Sequence, residues 1–123
     1  MASRILLIDD DALIRSSYTL ALRKWGVVAV GTADEARSTL EANPEVELVV
    51  CDLHLEDTHG QDVYEMVQDV RADLAGRFVM MSGLFLPQDE AFLEQHQLHA
   101  FQKPGSLQGL RELVVGILGA PTA

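Results

Sequence analysis

Five short apolar runs, separated by segments of helical period, constrain this chain more than any other feature. They are Ile5 to Ile8, Val27 to Val30, Val46 to Cys51, Phe78 to Met81 and a weaker Ala100 to Phe101. The runs are continuous and not alternating, as in strands covered on both faces of a parallel sheet. Between them the apolar spacing becomes helical: Ile14, Tyr18, Ala21 and Trp25 form one stripe, Val63, Val67, Val70 and Leu74 a second, and Leu107, Leu110, Val114 and Ile117 a third. Such alternation predicts an α/β fold of (βα)5 type, a doubly wound parallel sheet with right-handed crossovers and helices on both faces.

Local punctuation agrees. Thr32 and Glu35 fit a capping box, Pro87 suits a first helical turn, Ser106 can cap the last helix, and Gly26 and Gly119 fall just past helix ends. At 123 residues the chain has the length of one domain, so residues 1–123 are expected to form a single unit ending in a short tail. The position of Met1 close to the first strand suggests a complete single-domain chain whose output passes through another molecule.

Nine basic and 19 acidic residues give a net charge of −10, which removes any general attraction for nucleic acid or anionic lipid. The balance suits a divalent cation or a basic partner. Cys51 is the only cysteine and cannot form an intramolecular disulfide, and the N-terminal apolar run is too short for a signal peptide or a membrane span. A cytoplasmic setting is expected.

Chemistry collects at the predicted carboxyl ends of the strands, where open α/β sheets bind ligands. For the flavodoxin-like order 2-1-3-4-5 the strand order reverses between strands 1 and 3. Strand 1 ends in Asp9, Asp10 and Asp11, strand 3 in Asp52, strand 4 in Ser82 and Gly83, and strand 5 in Lys103 and Pro104. At ~4 Å and an effective dielectric near 20, each carboxylate pair repels by on the order of 4 kcal/mol before screening. Mg²⁺, which prefers oxygen ligands and typically takes one or two carboxylates, is the natural counter-charge, with Lys103 a fixed one. Singly, the residues have plain readings: Asp9 to Asp11 as a helix N-cap, Asp52 as a strand terminator, Ser82 as a turn residue and Lys103 as a surface lysine. Their recurrence at successive strand ends favours a common site.

The set resembles the response-regulator receiver domains of bacterial two-component signalling, the CheY-like superfamily, over essentially the whole chain. The matching pieces are Asp9-Asp10 after strand 1, Asp52 after Leu-Val-Val-Cys, Gly60 eight residues beyond it, Ser82-Gly83 and Lys103-Pro104. The resemblance implies that Asp52 accepts a phosphoryl group from the phosphohistidine of a sensor histidine kinase or phosphotransfer protein. It implies Mg²⁺ (or Mn²⁺) held by Asp10 and Asp52, by Asp9 largely through water, and by the backbone carbonyl of His54. Ser82 and Lys103 would contact the phosphoryl group, Gly83 would leave it accessible, and a cis Lys103-Pro104 peptide would aim the lysine inward. Phosphorylation would then switch a surface of helix 4, strand 5 and helix 5 toward a downstream protein effector; a phosphorylation-dependent dimer is left open.

Several positions depart from the family pattern. Ala100 replaces the usual switch aromatic, and Phe101, one residue later, should face the other side of the sheet as a core residue. Glu56 stands where Pro is common, so the loop with Asp57 is expected to be solvated and more mobile. His54 occupies a place that influences phosphoryl lifetime; its imidazole is a poor match for Mg²⁺, and His59, His96 and His99 are taken as ordinary loop or surface residues. Leu84, Phe85 and Leu86 form either a docking patch or a cover over helix 4. Two alternatives stand beside the phosphoacceptor: a degenerate receiver that only binds a partner, and a metal-dependent phosphohydrolase. The second would want an acid where His54 stands and a cap domain for which the length leaves no room.

Overall fold

The computed structural model describes residues 2–103 and 105–121. Strands β1 (Ile5–Ile8), β2 (Val27–Val30), β3 (Leu48–Asp52), β4 (Phe78–Ser82) and β5 (His99–Gln102) form one parallel sheet in the order β2-β1-β3-β4-β5. Helices α1 (Ala12–Ala21), α2 (Ala33–Ala42), α3 (Gly60–Val70) and α4 (Pro87–His96) make the crossovers, and α5 (Leu107–Leu118) follows the last strand. The expected α/β architecture and strand order are both present.

The continuous apolar runs supply two cores at once because successive residues point to opposite faces. Leu6, Ile8, Val49, Cys51, Phe78 and Met80 pack with Val63, Tyr64 and Val67 of α3 and Ala36 and Leu40 of α2. Ile5, Leu7, Val50, Val79, Met81 and Phe101 pack with Tyr18 and Ala21 of α1 and Leu110 and Val114 of α5. Every residue of β1 is fully buried, and each such Leu or Ile stabilises the fold by about 1.5–3 kcal/mol. Helix α4 sits more lightly: Phe92 and Leu93 are only partly buried against the first core.

Some boundaries differ from the sequence expectation. Trp25 and Leu74 carry their stripes beyond α1 and α3 into short 3₁₀ turns, Arg23–Trp25 and Ala72–Leu74. Val46 is buried but precedes β3. Ser106 caps α5 as expected, accepting the Gly109 N–H at 2.9 Å. At α2, Thr32 accepts the Glu35 N–H at 3.2 Å, while the returning Glu35 carboxylate takes the N–H of Gly31 rather than that of the cap residue. Gly26 has φ of 81° after the first 3₁₀ turn, the left-handed region in which glycine is favoured. No described helix is long and apolar enough to cross a membrane.

Candidate functional site

Register explains why distant residues meet. Ile8 pairs with Cys51, so the next residues, Asp9 and Asp52, emerge side by side at the reversal of strand order. Asp52 pairs with Met81 and Ser82 with Gln102, which places Ser82 and Lys103 farther along the same rim. Asp9, Asp10 and Asp52 can bring carboxylate oxygens within 4.8 Å of one another. Lys103 Nζ donates to Asp9 Oδ2 at 3.0 Å and to Asp52 Oδ2 at 3.2 Å.

The three carboxylates are held differently. Asp9 is fully buried, and its Oδ1 accepts the Asp11 N–H at 2.9 Å. Burial pushes its carboxyl above the usual range, although the Asp11 N–H and Lys103 pull the other way. Burial also disfavours the Lys103 ammonium, but its bond to Asp9 and the charge of Asp52 outweigh that and raise its pKa. The two partners differ for a physical reason: Asp9 loses all its hydration and gains one ammonium, whereas Lys103 keeps some water and gains two carboxylates. Asp52 Oδ1 accepts the His54 N–H at 3.2 Å. Asp10 is exposed and accepts no hydrogen bond among the described residues.

This donor set fits a hard divalent cation. It consists of oxygen and, among the described residues, it includes one carboxylate without another partner and has its repulsion offset by the Lys103 ammonium. Asp11, the third acid of the run, is instead the N-cap of α1, accepting from Leu13 at 2.8 Å and Ile14 at 3.3 Å. The helix-cap reading holds for this one aspartate, while its two neighbours join the cluster.

Ser82 is buried and its hydroxyl is already engaged: it donates to the Leu84 carbonyl at 2.7 Å and accepts the Leu84 N–H at 3.1 Å. A methyl group on Gly83 would make only ordinary contact, 3.7 Å from the Lys103 carbonyl, so no packing demand keeps that position small. Gln102 Nε2 donates to the Gly83 carbonyl at 2.7 Å and ties the loop to β5. Leu84 is 64% exposed and Leu86 40%, whereas Phe85 packs on the core. The apolar stretch is thus split between an exposed pair and a covering residue.

Of the departing positions, Ala100 is exposed on β5 and Phe101 is buried on the α1 and α5 side, edge to face with Tyr18 at 6.2 Å. Glu56 and Asp57 are exposed. Gly60 has a steric reason: a Cβ there would lie 2.6 Å from Met80 Sδ and 3.0 Å from the Asp52 carbonyl. Pro104 lies outside the described residues, and with it the expected cis peptide. His59 lies in the loop before α3, as expected, where it is the N-cap residue and stacks edge to face on His54 at 5.1 Å. His96 likewise packs on Phe92 and Tyr64. Sequence reasoning also missed Arg15, whose Nη1 donates to the Asp9 carbonyl at 2.7 Å; its partner is a backbone group, which leaves no signal in the residue types.

Comparison with known proteins places this geometry in context. The family model described as response regulator receiver domain matches residues 5–114. The photosynthetic apparatus regulatory protein RegA of Cereibacter sphaeroides is 35% identical over 81 residues, covering 64% of this chain and 42% of RegA. This chain therefore spans under half the length of that relative. The receiver domain protein of Methanospirillum hungatei superposes with a TM-score of 0.83 at 24% identity, covering 94% of this chain and 93% of its own, a likeness of fold. The non-phosphorylated HemR receiver domain of Leptospira biflexa gives 0.82 at 25% identity, covering 98% of each chain. The chain belongs to the response regulator receiver domain family.

Proposed function

We propose that this chain is a phosphoacceptor switch in which Asp52 takes a phosphoryl group from the phosphohistidine of a sensor kinase or phosphotransfer protein. The observation that carries the reading is the clustering of the Asp9, Asp10 and Asp52 carboxylates at the switch point of the sheet, with the Lys103 ammonium 3.0 Å from Asp9 and 3.2 Å from Asp52. In the transfer the bond between an Asp52 oxygen and phosphorus forms as the histidine N–P bond breaks. Such transfers depend mainly on positioning and charge neutralisation. Asp9, Asp10, Asp52 and the His54 carbonyl would hold Mg²⁺ or Mn²⁺, which when bound supplies positive charge to the phosphoryl oxygens.

Lys103 supplies a second cation within reach of Asp52. Ser82 would exchange its bonds to Leu84 for one to a phosphoryl oxygen, so the loop after β4 moves with it. The light packing of α4 supports transmission from that loop to α4, β5 and α5, where an effector protein would bind. We take residues 1–123 as one receiver in the cytoplasm, modifying itself rather than turning over a substrate. Ala100 favours a second reading, a receiver that binds its partner without phosphorylation, because the usual aromatic link to Ser82 is missing. Beryllofluoride, a phosphoryl mimic, separates the two. With Mg²⁺ it should shift the amide spectra of Asp52, Ser82, Leu84 and α4; shifts confined to Asp52 and its neighbours favour the binding module.

A further inference from the structure

We propose that Arg15 is a positioning residue of the acidic site, holding the peptide between Asp9 and Asp10 so that the Asp10 carboxylate faces the position a divalent ion shares with Asp9 and Asp52. The proposal rests on the metal-binding reading above.

Arg15 stands in the second turn of α1, where an arginine in a chain with 19 acidic residues would be expected to pair with one of them. It makes no ion pair among the described residues. Its Nη1 donates to the Asp9 backbone carbonyl at 2.7 Å. The same residue is fastened at its N–H, which donates to the Val30 carbonyl at 3.1 Å, and at its carboxylate by Asp11 and Lys103. A peptide group is a rigid plane, so fixing the Asp9 carbonyl fixes the amide from which Asp10 continues. Asp10 is exposed and has no other tether among the described residues. Its direction therefore depends on the plane that Arg15 holds.

Gly31, just after β2, supplies the room. Its φ is outside the left-handed region, so backbone conformation does not demand glycine. A Cβ there would lie 3.1 Å from Arg15 Nη1 and 3.7 Å from Cζ. The small residue lets the guanidinium lie against the end of β2 and reach Asp9. Arg15 and Gly31 together make one device, with the donor on α1 and its seat just past β2.

Charge and geometry predict opposite signs. The Arg15 cation repels an incoming divalent ion, so a role through charge alone means that removing it tightens binding. A positioning role means that removing it loosens binding, and loss of a group that orients a metal ligand typically costs ~10–100-fold in affinity. The test is Mg²⁺ titration of the full chain, followed by amide spectra, for wild type, Arg15→Gln, Arg15→Lys and Gly31→Ala, with urea unfolding to confirm that each is folded. The expected result is binding ~10-fold or more weaker for Arg15→Gln, partial recovery in Arg15→Lys, and weaker binding in Gly31→Ala, which keeps the charge but crowds its seat. Arg15→Gln binding as tightly as wild type, or more tightly, overturns the proposal. Should that variant not fold, unchanged affinity in Gly31→Ala overturns it instead. A wild-type chain that shows no Mg²⁺ response removes the metal reading and this proposal together.

Discussion

Replacing Lys103 by methionine keeps most of the aliphatic stem and removes the ammonium that two carboxylates share. The side chains of Lys103, Asp9 and Asp52 are 18%, 0% and 12% exposed, and the contacts are 3.0 and 3.2 Å. At an effective dielectric near 20 each contact amounts to about 5 kcal/mol of attraction before the cost of dehydration. Without it, carboxylates whose oxygens approach within 4.8 Å repel by on the order of 3–4 kcal/mol. Removing one member of a buried pair costs about 3–5 kcal/mol, and residual solvent access at Lys103 points to the lower end.

Lys103→Met should therefore lower the unfolding free energy by about 3 kcal/mol at pH 7 without divalent ions, measured by urea unfolding with Trp25 fluorescence and circular dichroism. The pH dependence has a definite sign. The Lys103 pKa is raised above 10.5, so its contribution is complete below that value and is lost as pH rises through the folded one. The Asp9 pKa is raised above 3.8, so the folded chain holds this proton more tightly. Its contribution favours folding in acid and is lost as pH rises through that window. The deficit of Lys103→Met should accordingly shrink toward acid pH, and most of it should vanish in an Asp9→Asn background. A deficit under about 1 kcal/mol at pH 7, or one unchanged by Asp9→Asn, would refute the shared-cation argument.

Asp11→Ala should cost about 1 kcal/mol of stability through the lost N-cap yet leave Mg²⁺ affinity nearly unchanged, which calorimetric titration would check. Gly60→Ala should destabilise by about 1–3 kcal/mol in urea unfolding, because its methyl group meets Met80 and the β3 backbone. Gln97 ends α4 with φ of 54°, so Gln97→Gly should stabilise by about 0.5–1 kcal/mol, seen as a higher unfolding midpoint.

The strands were legible because a strand buried on both faces leaves an uninterrupted apolar run, and the runs here have little else to be; their order came from the flavodoxin-like fold type that the resemblance implies, since an apolar run does not name its neighbours. The rim was legible because the carboxyl end of each strand needs no long-range information once the order is given. Helix ends were less so: Trp25 and Leu74 keep the helical apolar period in 3₁₀ turns, where burial, not hydrogen bonding, sets the residue type. The division among Asp9, Asp10 and Asp11 was hidden for a different reason. All three are aspartates, and only the backbone decides which carboxylate caps α1, which meets Lys103 and which stays free. His59 and Arg15 act through backbone groups, and a side chain that bonds to main chain leaves no complementary residue in the sequence to reveal it.

The most direct test of the account is incubation of the chain with Mg²⁺ and a small acyl phosphate donor, followed by intact-mass measurement and mapping of the modified residue. One phosphoryl group on Asp52, dependent on the divalent ion and absent from Asp52→Asn, is the predicted result. Labelling that survives in Asp52→Asn, or that falls on another residue of the wild-type chain, would contradict it.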